Sequence, residues 1–426
     1  MTARTVLTAL FLCVVACSSE SRTTGSDFLY VWSGDADGAN ADFLAVLDVR
    51  PDSPGYAQVL TTVPVPGRQN WPHHTEYDIS GQRTLFANGW NTGRTFVFDL
   101  SNPAAPVFTR DFGAAAGYGY PHSYALLPSG NVLTTFQSAD GNYRPSGGLV
   151  ELDQSGTAVR AVSGRAPGIP ESETWPYSLL VMADIDRVIT TNTRMGTVSE
   201  WTGASSAGDG HAHVGRDSRP THVQVWRLSD LRLLATLHLP PQADGHNAYP
   251  AEPRRLASGA VYVNTFSCGL YRIDAIETDT PIVAPVLFSQ SDGKNWCGVP
   301  VVLENYWIQP TAEHAIVAYD LTDPARAREV SRLALDSSFP VPHWLAIDPS
   351  APRIVVTPDI VVPHEPRAWV LLVDVDSTTG RLSIDQRFRD AGSDQPGVSF
   401  DRVDWPHGAT GRAMPHAAVF RARIHK

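Results

Sequence analysis

An apolar run closing on an acidic residue returns through the whole chain: FLAVLD (43–48), TFVFD (95–99), GLVELD (148–153), GLYRID (269–274), AIVAYD (315–320) and VLLVD (370–374). VQVWRL (223–228) is a seventh copy with Arg227 in the acidic place. Successive copies lie 46–54 residues apart, with one longer interval of 74. A period of this length is that of a propeller blade of four antiparallel strands. The 33 Gly and 33 Pro are spread along the chain, which favours many short strands over long helices. Within one unit, HSYALLPSG reads as the innermost strand and its turn, NVLTTF as the return, GLVELD as the third strand and AVRAVS as the outer one.

The two chain ends fit together. PHAAVFRARI near the C-terminus is an inner strand with nothing after it, while DFLYVW, DFLAVLDV and AQVLTTV near the N-terminus lack an inner strand. Joined, they make a seventh blade and leave no open sheet edge. The expected fold is therefore an all-β, seven-bladed propeller over residues 27–426, with a Gly/Ser/His-rich loop inserted at 195–219. A sandwich of eight or more strands is the alternative, and it does not account for the fixed period.

A second recurrence places chemistry on this frame. Pro-His opens an apolar run in WPHHTEY (71–77), YPHSYAL (120–126), VPHWLAI (341–347) and MPHAAVF (414–420). Proline at a strand start removes no ladder bond and is expected to keep the preceding residue extended. The seven inner-strand starts read His73-His74, His122, Tyr177, His246, Cys297, His343 and His416. A propeller gathers these positions around its axis, and converging neutral imidazoles are what copper, zinc or iron requires. Taken singly, each histidine is better explained as a hydrogen-bond donor to a backbone carbonyl; as a set they favour a metal. His211, His213 and His364 fall in loops of the same face, solvated or gating the entrance, and Glu76 and Asp78 read as blade contacts. Trp71, Trp90, Trp175, Trp296, Trp344 and Trp405 read mainly as packing between blades, a few of them walling an apolar pocket over the metal. Cys268 and Cys297, one blade apart on the same face, are a reasonable disulfide pair.

The first residues form a targeting segment rather than part of the fold. MTART carries the positive charge, VLTALFLCVVA is the apolar stretch, and a small residue before Cys17 matches the lipobox of bacterial lipoproteins. Residues 1–17 are thus expected as a lipoprotein-type signal peptide with Cys17 lipidated, and 18–26 as a polar tether; a plain secretory signal is the alternative. Either reading exports the chain, to the periplasm and, with lipid, to a membrane held only by that anchor. A formal charge of −11 and the lack of any long Lys/Arg run argue against a nucleic-acid partner. Nucleophile-elbow, P-loop and dinucleotide-binding motifs are not visible in the sequence.

DFLAVLDVRPDSPGYAQVLTTVPVPG followed by the double histidine resembles the N-terminal signature of the selenium-binding protein family, which includes bacterial methanethiol oxidases. HSYALLPSGNVL, YDLTDPARAREVSRLAL and VLLVDVDSTTGRLSIDQRF fit later segments of that family in the same order, so the resemblance spans most of residues 27–420. It implies a seven-bladed propeller and, for exported bacterial members, copper-dependent oxidation of methanethiol by oxygen and water to formaldehyde, hydrogen sulfide and hydrogen peroxide. The family's double histidine falls on His73 and His74, its next inner-strand histidine on His122 and its C-terminal histidine on His416. Ser33 stands where the family carries its selenium-associated cysteine, His343 stands for a family glutamine, and FRARIHK replaces a C-terminal YPGGD stretch. His343 is accordingly expected as a spare ligand or proton carrier. A lipid-anchored propeller that binds a metal, ligand or protein without turnover is the alternative, as is a four-histidine iron oxygenase.

Overall fold

The computed structural model of this 426-residue chain describes residues 25–139, 145–196, 221–241, 249–288, 296–336, 339, 341–359 and 368–422. The leader with Cys17, most of the 195–219 loop, and His211, His213, His246 and His364 lie outside the described residues. Among the described residues, no helix is long and apolar enough to cross a membrane.

Seven antiparallel sheets, each built on four strands, form the blades of an all-β propeller. Their inner strands are Pro72–Thr75 (blade 1), Gly119–Leu126 (blade 2), Pro176–Met182 (blade 3), Pro250–Arg255 (blade 4), Val301–Leu303 (blade 5), Pro342–Ile347 (blade 6) and Ala413–Arg421 (blade 7). Blade 7 closes the ring as the sequence predicts. Phe28–Asp35 pairs with Ala413–Arg421, Leu29 facing Phe420 and Tyr30 facing Val419. The segment just before the Phe28–Asp35 strand is also pinned to blade 6, where Asp348 accepts Ser26 Oγ (2.6 Å) and pairs with buried Arg353 (2.8 Å).

The repeated run is the third strand of every blade, and its composition follows from where it lies. FLAVLD (43–48) is buried on both faces, whereas the outer Arg328–Ala334 strand is exposed or half-buried throughout. Apolar side chains on both faces let each sheet pack on two neighbours. Trp32 of blade 7, for example, lies 5.3 Å from Phe96 of blade 1. The closing aspartate has a local cause. Asp99, Asp153 and Asp320 accept the backbone N–H two residues on (Ser101 2.7 Å, Ser155 2.8 Å, Thr322 2.9 Å), an Asx turn that sends the chain into the outer strand.

Six of the seven inner strands carry the same irregularity, that of blade 7 lying in its pairing with Phe28–Asp35. Pairing slips by one residue just after the starting proline: between Pro72 and Thr75, Pro121 and Tyr124, Pro176 and Leu179, Pro250 and Pro253, and Pro342 and Trp344. Such bulges re-aim a side chain. Here they sit at the residues expected to face the axis. This register corrects two of the expected starts. Cys297 pairs with Thr311, in the place the prolines take in other blades, so Gly298 occupies the histidine position of blade 5. Blade 4 begins at Pro250, so Ala251 occupies that position there.

The residue before proline is a third correction. Trp71 and Tyr120 have φ of 58° and 57°, left-handed rather than extended. That conformation is costly for bulky residues. It turns both rings into an aromatic layer over the channel mouth, and Gly93, whose own φ is 60°, leaves room for the Tyr120 ring.

Candidate metal centre

The first bulged residue of each inner strand gives the ring His73, His122, Tyr177, Ala251, Gly298, His343 and His416, in blade order. The next residue gives a second layer of His74, Ser123, Ser178, Glu252, Val299, Trp344 and Ala417. Four blades therefore bring five imidazoles to one end of the channel. His73 stacks on His74 at 4.3 Å and on His416 at 4.6 Å, His74 lies 4.2 Å from His122, and His343 lies 4.8 Å from His416. All five are buried, none more than 4 % exposed. Their nitrogens form two overlapping sets, His73/His74/His122 and His73/His343/His416, each within 4.8 Å internally. His73 belongs to both. The structure thus brings His343 into the same cluster as the four histidines that the resemblance implies as ligands.

A shared device holds this ring. The bulge leaves the N–H of the second-layer residue without a ladder partner, and a side chain on the neighbouring strand takes it up. His74 N donates to Asn88 Oδ1, Ser123 N to Thr135 Oγ1, Ser178 N to Thr191 Oγ1 and Glu252 N to Asn264 Oδ1. The same side chains then donate to an inner-strand carbonyl of the next blade: Asn88 to Pro121, Thr135 to Tyr177, Thr191 to Ala251 and Asn264 to Gly298. Each bulge is thereby satisfied and locked to its neighbour, so the imidazoles are held on rigid strands rather than on loops.

Two tautomers follow directly. His122 Nδ1 lies 2.9 Å from the Tyr177 carbonyl and His416 Nδ1 2.6 Å from the His73 carbonyl. A carbonyl only accepts, so both rings carry hydrogen on Nδ1 and a lone pair on Nε2. His122 Nε2, His74 Nε2 and His73 Nδ1 are buried without a hydrogen-bond partner. Unpartnered buried imidazole nitrogens are costly unless something binds them. A metal that favours nitrogen donors fits this set.

Burial, with mutual proximity at three of them, favours the neutral form of His73, His74, His122 and His416. Burial pushes His122 and His416 down to about 3, with neighbouring imidazoles adding to the effect at His416. His73 and His74 are lowered well below the ordinary value, first by burial and then by the surrounding histidines. Neutral rings are the ligand form.

Trp90, Trp175 and Met195 are buried together with Tyr177 of the ring, and Trp71, Tyr120, Phe266 and Met414 pack against them. Trp90 lies 5.3 Å from His73 and Trp296 5.3 Å from His343. Trp344 is instead a blade-packing residue whose Nε1 donates to Ala418 O, and Trp405 packs on Phe43 and Phe400. The Cys268 and Cys297 sulfurs are bonded, with Cα atoms 5.0 Å apart, tying blade 4 to the start of blade 5 at this mouth. Glu76 is a blade contact: it accepts Phe86 N and Gln82 Nε2, and burial raises it to about 8. Asp78 accepts Ser80 N in a turn. Ser33 is buried on the second strand of blade 7, opposite Pro415.

Sequence reasoning missed Glu252, which is fully buried in the blade 4 place corresponding to His74. The only signal was a charged residue inside PAEPRR, in a blade whose rim position was assigned to His246 rather than Ala251.

No family model matches the chain. A methanethiol oxidase of Ruegeria pomeroyi is 33% identical over 147 residues, 32% of this chain and 32% of that protein. Selenium-binding protein 3 of Arabidopsis thaliana is 30% identical over 128 residues, 26% of this chain and 27% of its own length. The matches span between 26% and 50% of the length of the curated relatives. The structure of a hypothetical selenium-binding protein from Sulfolobus tokodaii superposes with a TM-score of 0.71 at 15% identity, covering 92% of this chain and 93% of that one. A periplasmic gluconolactonase of Pseudomonas aeruginosa superposes with a TM-score of 0.61 at 14% identity over 93% and 99%, a likeness of fold alone. Over these segments the chain is similar to proteins named methanethiol oxidase and selenium-binding protein, and over nearly its whole length it shares the propeller fold of the Sulfolobus tokodaii structure.

Proposed function

We propose that this protein is a copper oxidase of a small thiol such as methanethiol, converting thiol, oxygen and water to aldehyde, hydrogen sulfide and hydrogen peroxide. The observation that carries this reading is the cluster of buried imidazoles in which His73 Nδ1, His74 Nε2 and His122 Nε2 have no hydrogen-bond partner. His73, His74, His122 and His416 would hold the metal. Copper would supply an affinity for thiolate sulfur and a one-electron couple. The chain's own residues do the rest. The Trp90, Trp175 and Met195 layer favours a small apolar substrate and limits water at the ring. His343, beside His416 and Trp296, is the proton carrier nearest the substrate side.

The test is peroxide and sulfide release from methanethiol by copper-loaded protein. Stoichiometric release supports the reading. Metal bound without turnover of any small thiol would instead make the chain a metal-binding module.

Export belongs to the same proposal. The disulfide suits an oxidising compartment. Phe28 pairs with Arg421, at the end of the blade 7 strand away from His416, so a tether on Cys17 would leave from the face opposite the histidines. Fatty-acid labelling that disappears in Cys17→Ala checks the anchor.

A further inference from the structure

We infer that Glu252 is a positioning residue for the metal centre, acting on His74 through Tyr77. This role presupposes the proposed metal and reaches a part of the channel that the proposed reaction does not use.

Glu252 Oε2 accepts Tyr77 Oη at 2.8 Å, Arg254 Nη1 at 3.1 Å, and the Ser178 hydroxyl. Tyr77 is fixed between two partners, its ring stacked on Trp344 at 4.9 Å and 10° and covered by the Arg254 guanidinium at 4.1 Å. Its oxygen also lies 3.3 Å from His74 Nδ1. A phenol has one proton. With the Glu252 carboxyl oxygen accepting that proton, Tyr77 Oη offers only lone pairs to His74, so their contact is a hydrogen bond only when the imidazole carries its hydrogen on Nδ1. The lone pair then falls on Nε2, the nitrogen left without a partner in the cluster. His74 thus gains from a side-chain relay the tautomer that His122 and His416 gain from backbone carbonyls. The reason for the difference is positional: His74 lies in the second layer, where its neighbours are the side chains Ser123 and Tyr77. Ser123 Oγ, 3.1 Å away, can donate or accept and does not decide the tautomer by itself. A carboxylate that orients a metal-binding histidine from behind is a general device, and its loss costs roughly 10–100-fold in metal affinity.

The experiment compares Tyr77→Phe, Glu252→Gln and Ser178→Ala with the parent, each checked for folding by thermal unfolding. Tyr77→Phe keeps the stacked ring and deletes only the relay oxygen. Two readouts are used: ¹⁵N shifts of the His74 ring in metal-free protein, and copper affinity with the electron paramagnetic resonance spectrum of the Cu(II)-loaded form. The expected result is a wholly Nδ1-protonated His74 in the parent, a mixed tautomer in Tyr77→Phe, and copper affinity lowered roughly 10–100-fold with an altered spectrum. Glu252→Gln should shift the same readouts less and add nothing in the Tyr77→Phe background. Ser178→Ala removes a Glu252 donor without touching His74 and should change neither. The inference is overturned if the parent binds copper while tautomer and affinity are the same in Tyr77→Phe. If the parent binds no copper the metal reading fails, and the tautomer measurement still decides the positioning role.

Discussion

One half of the channel mouth is imidazole and the other is not, although both halves are built on the same bulged strands. Blades 6, 7, 1 and 2 present His343, His416, His73 and His122, while blades 3, 4 and 5 present Tyr177, Ala251 and Gly298 at the same register. The fold supplies seven equivalent rim positions, and residue choice at each one decides between ligand, wall and close packing. Gly298 shows the last case. A Cβ there would lie 2.2 Å from the His343 carbonyl oxygen, so the glycine lets blade 5 approach the histidine blade next to it. The second layer repeats the contrast, with His74 in blade 1 answered by Glu252 in blade 4.

The sharpest way to break this comparison is to remove the residue shared by both nitrogen sets. His73→Ala should abolish stoichiometric metal binding, while Tyr177→Phe, in the other half, should leave it intact; equilibrium dialysis with copper reads both. His343→Gln should keep the metal and lower turnover, which separates a proton carrier from a ligand.

Acidification comes next. The imidazole half keeps folded-state values below the unfolded value near 6.5, so the unfolded chain takes up protons first and stability falls as pH drops from about 6.5 toward 3. At pH 5 His122 and His416 should each cost about 2 kcal/mol in the metal-free protein. Glu76 works the other way. Its carboxyl is raised to about 8, so its contribution is lost as pH rises from about 4.5 to 8. Urea unfolding against pH should show the acid-side loss shrink in His122→Asn.

The other half is held by the Cys268–Cys297 bond. Opening it with Cys268→Ser should cost about 3–4 kcal/mol for a sequence separation of 29, without loss of metal. Gly298→Ala should cost about 1–3 kcal/mol by overpacking against His343. A Gly298→Ala protein as stable as the parent would show that the packed half has room to spare.

Much of this was legible in the sequence, for physical reasons. The third strand repeats because both of its faces are buried and its end makes an Asx turn, so FLAVLD and AIVAYD look alike. Pro-His marked four blades because proline is tolerated at a strand start. The rim positions of blades 4 and 5 were misplaced, by five residues and by one, because Ala251 and Gly298 carry no recognisable side chain there. The left-handed Trp71 and Tyr120 were illegible, since local preference before proline points the other way and tertiary packing overrides it. Glu252 was hidden for a similar reason. Its partners Tyr77, Ser178 and Arg254 come from three blades, and only the closed ring brings the first two of them to the third.

The most direct measurement is X-ray absorption at the copper edge, on protein loaded with one equivalent. The account predicts full occupancy with nitrogen scatterers carrying the multiple-scattering signature of imidazole, lost in His73→Ala. Copper that does not bind, or a bound copper whose ligands are not histidine, would contradict it.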